Sequence, residues 1–277
     1  MTFSAPSAPS YNKVSLFRAW LVLAALAIGA ASGAAPTYST ESIVNGSDFA
    51  PGPFAPGSIV TIFGADLSFG TLGLTAENTS ARALPTELSD VRVYLDNQPV
   101  ALIFVSPTQI NFLVPSNKTP RNYPLRVVRQ GLTGPEVTIT LVDAAPQLFK
   151  SKEGYVIAQH GADYSVITLD APARPGEVIV IYATGLGRTQ PTPAPGEIPN
   201  YPGKIVSDLK LSLGGSVLAP ERTWYAGLSP GIAGVYQINL QLPESLAIDP
   251  EIRADVGGQS SAQGIKLATQ LNSDGPR

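Results

Sequence analysis

Apolar and polar positions alternate with a period of two along two short stretches that share a Gln-Ile-Asn core. In "QINFLVP" (109–115), Ile110, Phe112 and Val114 fall on one face and Gln109, Asn111 and Leu113 on the other. In "YQINLQLP" (236–243), Tyr236, Ile238, Leu240 and Leu242 form one face and Gln237, Asn239 and Gln241 the other. A period of two predicts strands with one face in a core, ended by Pro115 and Pro243, which have no amide to continue a ladder. The same amides stand on the same side of both strands. We expect Gln109, Asn111, Gln237 and Asn239 to be structural, each side chain tying neighbouring loop backbone to its strand.

Other segments repeat in the same order. "PGSIVTIFGADLS" (56–68) aligns without gaps on "PGEVIVIYATGLG" (175–187), with Pro-Gly leading into a β-rich run closed by a turn. "LSDVRVYLDNQPV" (88–100) matches "VSDLKLSLGGSVL" (206–218), an alternating strand ending in Asp-Asn or Gly-Gly, residues suited to a hairpin. "VSPTQINFLVP" (105–115) matches "LSPGIAGVYQINLQLP" (228–243), which carries five extra residues, and a closing hairpin follows in both copies. Each copy offers about seven short strands separated by turn signals, the pattern of an immunoglobulin-like sandwich. The expected fold is all-β, with two tandem immunoglobulin-like β-sandwich domains at 43–145 and 146–270. They are joined at "DAAPQLF" (143–149), preceded by a linker at 35–42 and followed by a disordered tail at 271–277. The second domain opens with an extra hairpin, "GYVIAQHGADYSVITLD" (154–170), and carries a Pro-rich loop, "TQPTPAPGEIPNYPG" (189–203), where function tends to sit.

The N-terminus departs from this pattern. Lys13 and Arg18 precede "AWLVLAALAIGAA" (19–31) and the small-residue stretch "SGAAP" (32–36), the order of a secretory signal peptide, here 1–34. The apolar run is shorter than the roughly 20 residues of a membrane span, so an uncleaved anchor is the weaker reading. The product is expected to be secreted, periplasmic or at the cell surface. With 26 Gly, 26 Pro and 14% charged residues, turn formers abound and helix formers are scarce. A formal net charge of −3 without a basic block argues against nucleic acid. The chain has no cysteine, which removes disulfides and thiolate metal sites.

The blocks "ARPGEVIVIYATGLG" (173–187), "YAGLSPGIAGVYQINLQLP" (225–243), "FAPGSIVTIFGADL" (54–67) and "VSPTQINFLVP" resemble the uncharacterised C-terminal domain family described from Solibacter, abundant in secreted acidobacterial proteins. The resemblance covers nearly the whole mature chain in two copies. It implies a secreted immunoglobulin-like or IPT/TIG-like β-sandwich, often at the end of larger surface proteins, and implies no biochemical activity.

Candidate chemistry is thin. "GLSPG" (227–231) fits Gly-x-Ser-x-Gly, but a nucleophile elbow needs a helix after Ser229 and a histidine downstream; a strand follows, and the one histidine, His160, lies upstream. His160 is expected in an exposed hairpin turn, without the partners of a zinc site. Asp66, Asp96, Asn97 and Asp163 are read as turn residues rather than calcium ligands. "GLGRTQ" (185–190) has two of the three glycines of a dinucleotide fingerprint and no βαβ unit around it. Glu177, Glu197 and Glu221 are carboxylates that nothing in the sequence pairs. The protein is therefore expected not to be an enzyme and to need no cofactor or metal. Trp224, Tyr225 and Tyr201 are the candidate ligand contacts. On a regular strand Trp224 and Tyr225 face opposite sides, and we expect Trp224 in the core. The function expected first is a secreted, non-catalytic structural or adhesion module acting through protein contacts. The alternative is a carbohydrate-binding module for cell-wall or environmental polysaccharide. An unknown protein or polysaccharide is the expected partner, with no membrane span left after leader removal.

Overall fold

The computed structural model describes residues 33–270. Residues 1–32 of the expected signal peptide and the expected tail lie outside the described residues. From 43 to 141 the longer strands are β1 (Ile43–Asn45), β2 (Ile59–Phe63), β3 (Val91–Leu95), β4 (Ala101–Val105), β5 (Gln109–Leu113), β6 (Arg121–Arg129) and β7 (Val137–Leu141). They form two antiparallel sheets, ordered β1–β2–β5–β4 and β7–β6–β3, with two-residue strands at the edges. Later residues supply β8 (Ala158–His160), β9 (Val178–Thr184), β10 (Leu209–Leu213), β11 (Thr223–Leu228), β12 (Tyr236–Gln241) and β13 (Ile252–Val256). Strand β9 pairs with β8 on one side and with β12 on the other, and β11 lies beyond β12. In the other sheet β13 pairs with β10. The neighbour order β2–β5–β4 thus recurs as β9–β12–β11, and β6–β3 as β13–β10.

Each sheet pair encloses its own apolar core. Ile110, Phe112 and Val114 are fully buried against Val93, Leu125 and Val127 of the opposite sheet. Tyr236, Ile238 and Leu240 meet Leu211, Ala254 and Val256 in the second core. Burying a side chain of this size stabilises by about 1.5–3 kcal/mol, so the face assigned by alternation sets the register of each strand.

The two sandwiches are fastened to each other. At 143–149, Ala144 and Leu148 are buried, and the Ala145 amide donates to the Gly185 carbonyl at 2.9 Å. The Pro-rich loop is a latch between the two sandwiches. The Leu84 amide donates to the Gly196 carbonyl at 2.8 Å and the Ile198 amide to the Arg82 carbonyl at 2.9 Å. Ile198 and Ala233 then pack against Leu84, Ala101 and Leu113 of the first sandwich, with Ile59 and Ile103 alongside. Ala233 belongs to the five-residue insertion, whose Gly234 (φ +76°) comes so close to the first sandwich that a Cβ there would lie 2.6 Å from Ile59 Cγ1. Buried Thr184 donates its hydroxyl to the Gly234 carbonyl and accepts the Ile59 amide, at 2.8 and 3.2 Å. Leu113, placed by alternation on an outward face, is buried because the second sandwich covers it.

The stretch read as a linker at 35–42 is also held down. Thr37 pairs with Ala65, and Tyr38 accepts the Val127 amide and donates to the Pro135 carbonyl. Arg129, 1% exposed, donates to the carbonyls of Asp66 and Ala34, both at 2.6 Å. Its guanidinium also lies 3.9 Å from the Phe69 ring centroid, a cation over a ring face.

Candidate functional site

A β-bulge creates the candidate site. Along β11, Thr223 pairs with Leu240 of β12 and Tyr225 with the next partner, Asn239, so Trp224 is an extra residue opposite no partner. Bulges redirect side chains at sheet surfaces. Trp224 is accordingly 57% exposed, at the rim of an open cleft of about 590 Å³. This corrects the expectation of a core tryptophan: strict alternation fails where the strand gains a residue.

The cleft lies where the extra hairpin meets the start of β9. His160 ends β8 and is half-buried, correcting the expected exposed turn, which begins one residue later. Its Nδ1 lies 3.0 Å from Glu177 Oε1 and its Nε2 3.2 Å from the Ala171 carbonyl, so both ring nitrogens are occupied. Asp163 accepts the Ser165 amide at 2.9 Å and hydroxyl at 2.7 Å, the turn geometry expected for it. Those two bonds hold its carboxyl below the usual aspartate range. Arg174, exposed at the rim, makes no side-chain hydrogen bond or ion pair with another described residue. The cleft thus combines an open ring face, a free guanidinium and two carboxylates with lone pairs to spare. No group of three histidine or carboxylate side chains among the described residues is placed to hold a metal.

The other aromatic candidates are committed elsewhere. The Tyr225 hydroxyl donates to the Leu228 carbonyl at 2.8 Å and accepts the Gly203 amide at 3.2 Å, fastening the end of the Pro-rich loop; burial raises its pKa. Tyr201 packs against the second core, and burial raises its pKa too. The amides also differ from expectation. Gln109 Nε2 donates to Asn111 Oδ1 at 2.9 Å, and Gln237 Nε2 to Asn239 Oδ1 at 3.3 Å. Residues two apart on a strand share a face, so these side chains reach each other rather than loop backbone. Thr61, opposite Asn111, adds a 3.0 Å hydrogen bond that Val180, opposite Asn239, has no hydroxyl to make.

Ser229 is buried and followed by a turn and β12, not a helix. Asp66, Asp96 and Asn97 have positive φ, as turn residues do, and Asp96 pairs with Arg121 at 2.6 Å. Glu177 contacts His160, Glu197 accepts the Ala194 amide, and Glu221 sits in the 3-10 turn Pro220–Arg222, so nothing pairs them. Sequence reasoning missed Arg174 and the role of Glu177. A signal for Glu177 lay in the repeated Pro-Gly blocks, where it stands in the place of the buried Ser58.

The first sandwich carries the same bulge. Leu102 pairs with Phe112 and Phe104 with Asn111, leaving Ile103 as the extra residue. Its stretch from Val44 in β1 to Leu141, the end of β7, matches the IPT/TIG domain family. On this first sandwich, Ile59, Leu113 and the bulged Ile103 receive the second sandwich; the matching positions of the second sandwich are Val178 and Trp224, which line the open cleft, and Gln241, the strand partner of Val178. No curated protein sequence matches the chain. Solved structures similar to it include the surface glycan-binding protein PbSGBP-B of Prevotella bryantii (13% identity, 83% of this chain and 41% of that one, TM-score 0.26). Another is SGBP-B of the Bacteroides ovatus mixed-linkage glucan utilization locus, in complex with a mixed-linkage heptasaccharide (10%, 84% and 47%, TM-score 0.32). A third is the plexin A4 extracellular region (13%, 88% and 16%, TM-score 0.29). The chain spans less than half the length of each.

Proposed function

We propose that the protein is a secreted, non-catalytic surface module whose two sandwiches act as one body, and that its binding surface is the Trp224 cleft, with carbohydrate as ligand. The observation that carries this reading is the exposed indole of Trp224 on a bulge whose counterpart, Ile103, is covered. A pyranose offers a flat apolar face to a ring and hydroxyls to nearby charged groups. Docking a protein surface over the same cleft would bury Arg174, Asp163 and Glu177 together, which is costly unless each finds a partner. A glycan array probed with the native chain and with Trp224→Ala tests the proposal. The native chain is expected to bind and the variant to lose binding at unchanged melting temperature.

The reading through protein contacts keeps one observation in its favour. Ile157, Val166 and Leu169 of the extra hairpin are exposed together beside a groove of about 230 Å³. A folded native chain that binds no glycan would move the function to that hairpin.

A further inference from the structure

We infer that the Trp224 cleft selects an uncharged saccharide over an acidic one, with Trp224 stacking on a sugar face, Arg174 donating to hydroxyls, and Asp163 and Glu177 accepting from them. The inference rests on the carbohydrate reading and narrows it to a ligand class.

Charge and commitment of the lining groups carry the argument. A uronic acid would approach Arg174 favourably, but it would share the cleft with two carboxylates, those of Asp163 and Glu177. Asp163 is kept ionised by its bonds to Ser165. The only other basic group lining the cleft, the His160 ring, already contacts Glu177 and Ala171 through both nitrogens. An added anion therefore meets at least as much negative as positive charge among the groups that line the one cleft. A neutral polyol uses the same groups without that conflict: the free guanidinium offers up to five donors, and carboxylate oxygens accept hydroxyl protons. His160 enters as a positioning residue that fixes the Glu177 carboxylate.

Trp224 also supplies the readout. The sequence holds two tryptophans, Trp20 and Trp224, so in a Trp20→Phe chain the emission comes from the cleft alone. We would titrate that chain with a soluble β-glucan and a galactomannan as neutral polymers, and with polygalacturonate and alginate as acidic ones. Affinity electrophoresis would run in parallel. The inference expects an emission shift and retardation with at least one neutral polymer and neither with the acidic pair. Arg174→Ala should weaken the neutral binding by about tenfold or more, a loss on the scale of one good polar contact. Trp224→Ala should abolish it at unchanged melting temperature. Binding confined to the acidic polymers, and lost in Trp224→Ala, would overturn the inference while leaving the carbohydrate reading intact. A folded native chain that neither class shifts or retards would overturn both.

Discussion

Ile103 and Trp224 occupy the same bulge in two sandwiches of the same strand order and meet opposite fates. In the first sandwich the bulge, with Ile59 and Leu113, is an apolar seat filled by Ile198 and Ala233. In the second sandwich the matching strand positions hold Val178 and Gln241, with Glu177 where the first has Ser58, and the bulged residue is an open indole. A bulge sets where a side chain is aimed; the chemistry around it decides whether that position serves cohesion or recognition. Apolar neighbours gain by excluding water, whereas charged neighbours lose by being covered unless a ligand satisfies them.

The contrast is most severely tested at Gly234. A valine there would need a left-handed backbone and would place its Cβ against Ile59 and Leu113. Strain and overpacking together should cost about 3 kcal/mol or more, read as a lower midpoint in thermal or urea unfolding. The seat would be damaged while the Trp224 cleft kept its residues. Next, Ile198→Ala should cost about 2–3 kcal/mol, because a buried side chain is deleted from the latch. A change below about 0.5 kcal/mol would show that the loop merely rests on the first sandwich. A finer asymmetry lies in the amides. Asn111→Ala removes the acceptor of both Thr61 and Gln109 and should cost about 1 kcal/mol, while Asn239→Ala, with one longer hydrogen bond, should cost about half of that. Equal losses would remove the distinction. Smallest of all, Trp224→Ala should alter stability by within about 0.5 kcal/mol, since the indole is largely exposed.

The strands were legible because their residues obey a local rule. Ile110, Phe112, Ile238 and Leu240 are all fully buried on the side that alternation assigns them. The neighbour order that the structure repeats joins segments whose sequences align. The site was less legible because it depends on breaking that rule. One inserted residue in β11 puts Trp224 out of step, and nothing in "RTWYAGL" marks the bulge. The contact of His160 with Glu177 joins the last residue of β8 to the residue just before β9, and the register that brings them together is not written in either segment alone. The Pro-rich loop misled for a related reason. Its composition predicts an irregular path, which it has, but not that its backbone groups would pair with Arg82 and Leu84 of the other sandwich.

Arg129 carries a practical consequence for where the chain may be cut. A truncation to Ile43, the start of β1, would take the Ala34 carbonyl from a guanidinium that has no access to water and whose Nε already lacks a partner. It would also strip the Val127 amide of the Tyr38 hydroxyl. Gly134, which has room for no side chain because the Pro36 carbonyl and Tyr38 ring lie against it, would border a void. A shortened version of the protein therefore keeps the residues from Ala34 onward, and an affinity tag or fusion partner belongs upstream of that residue.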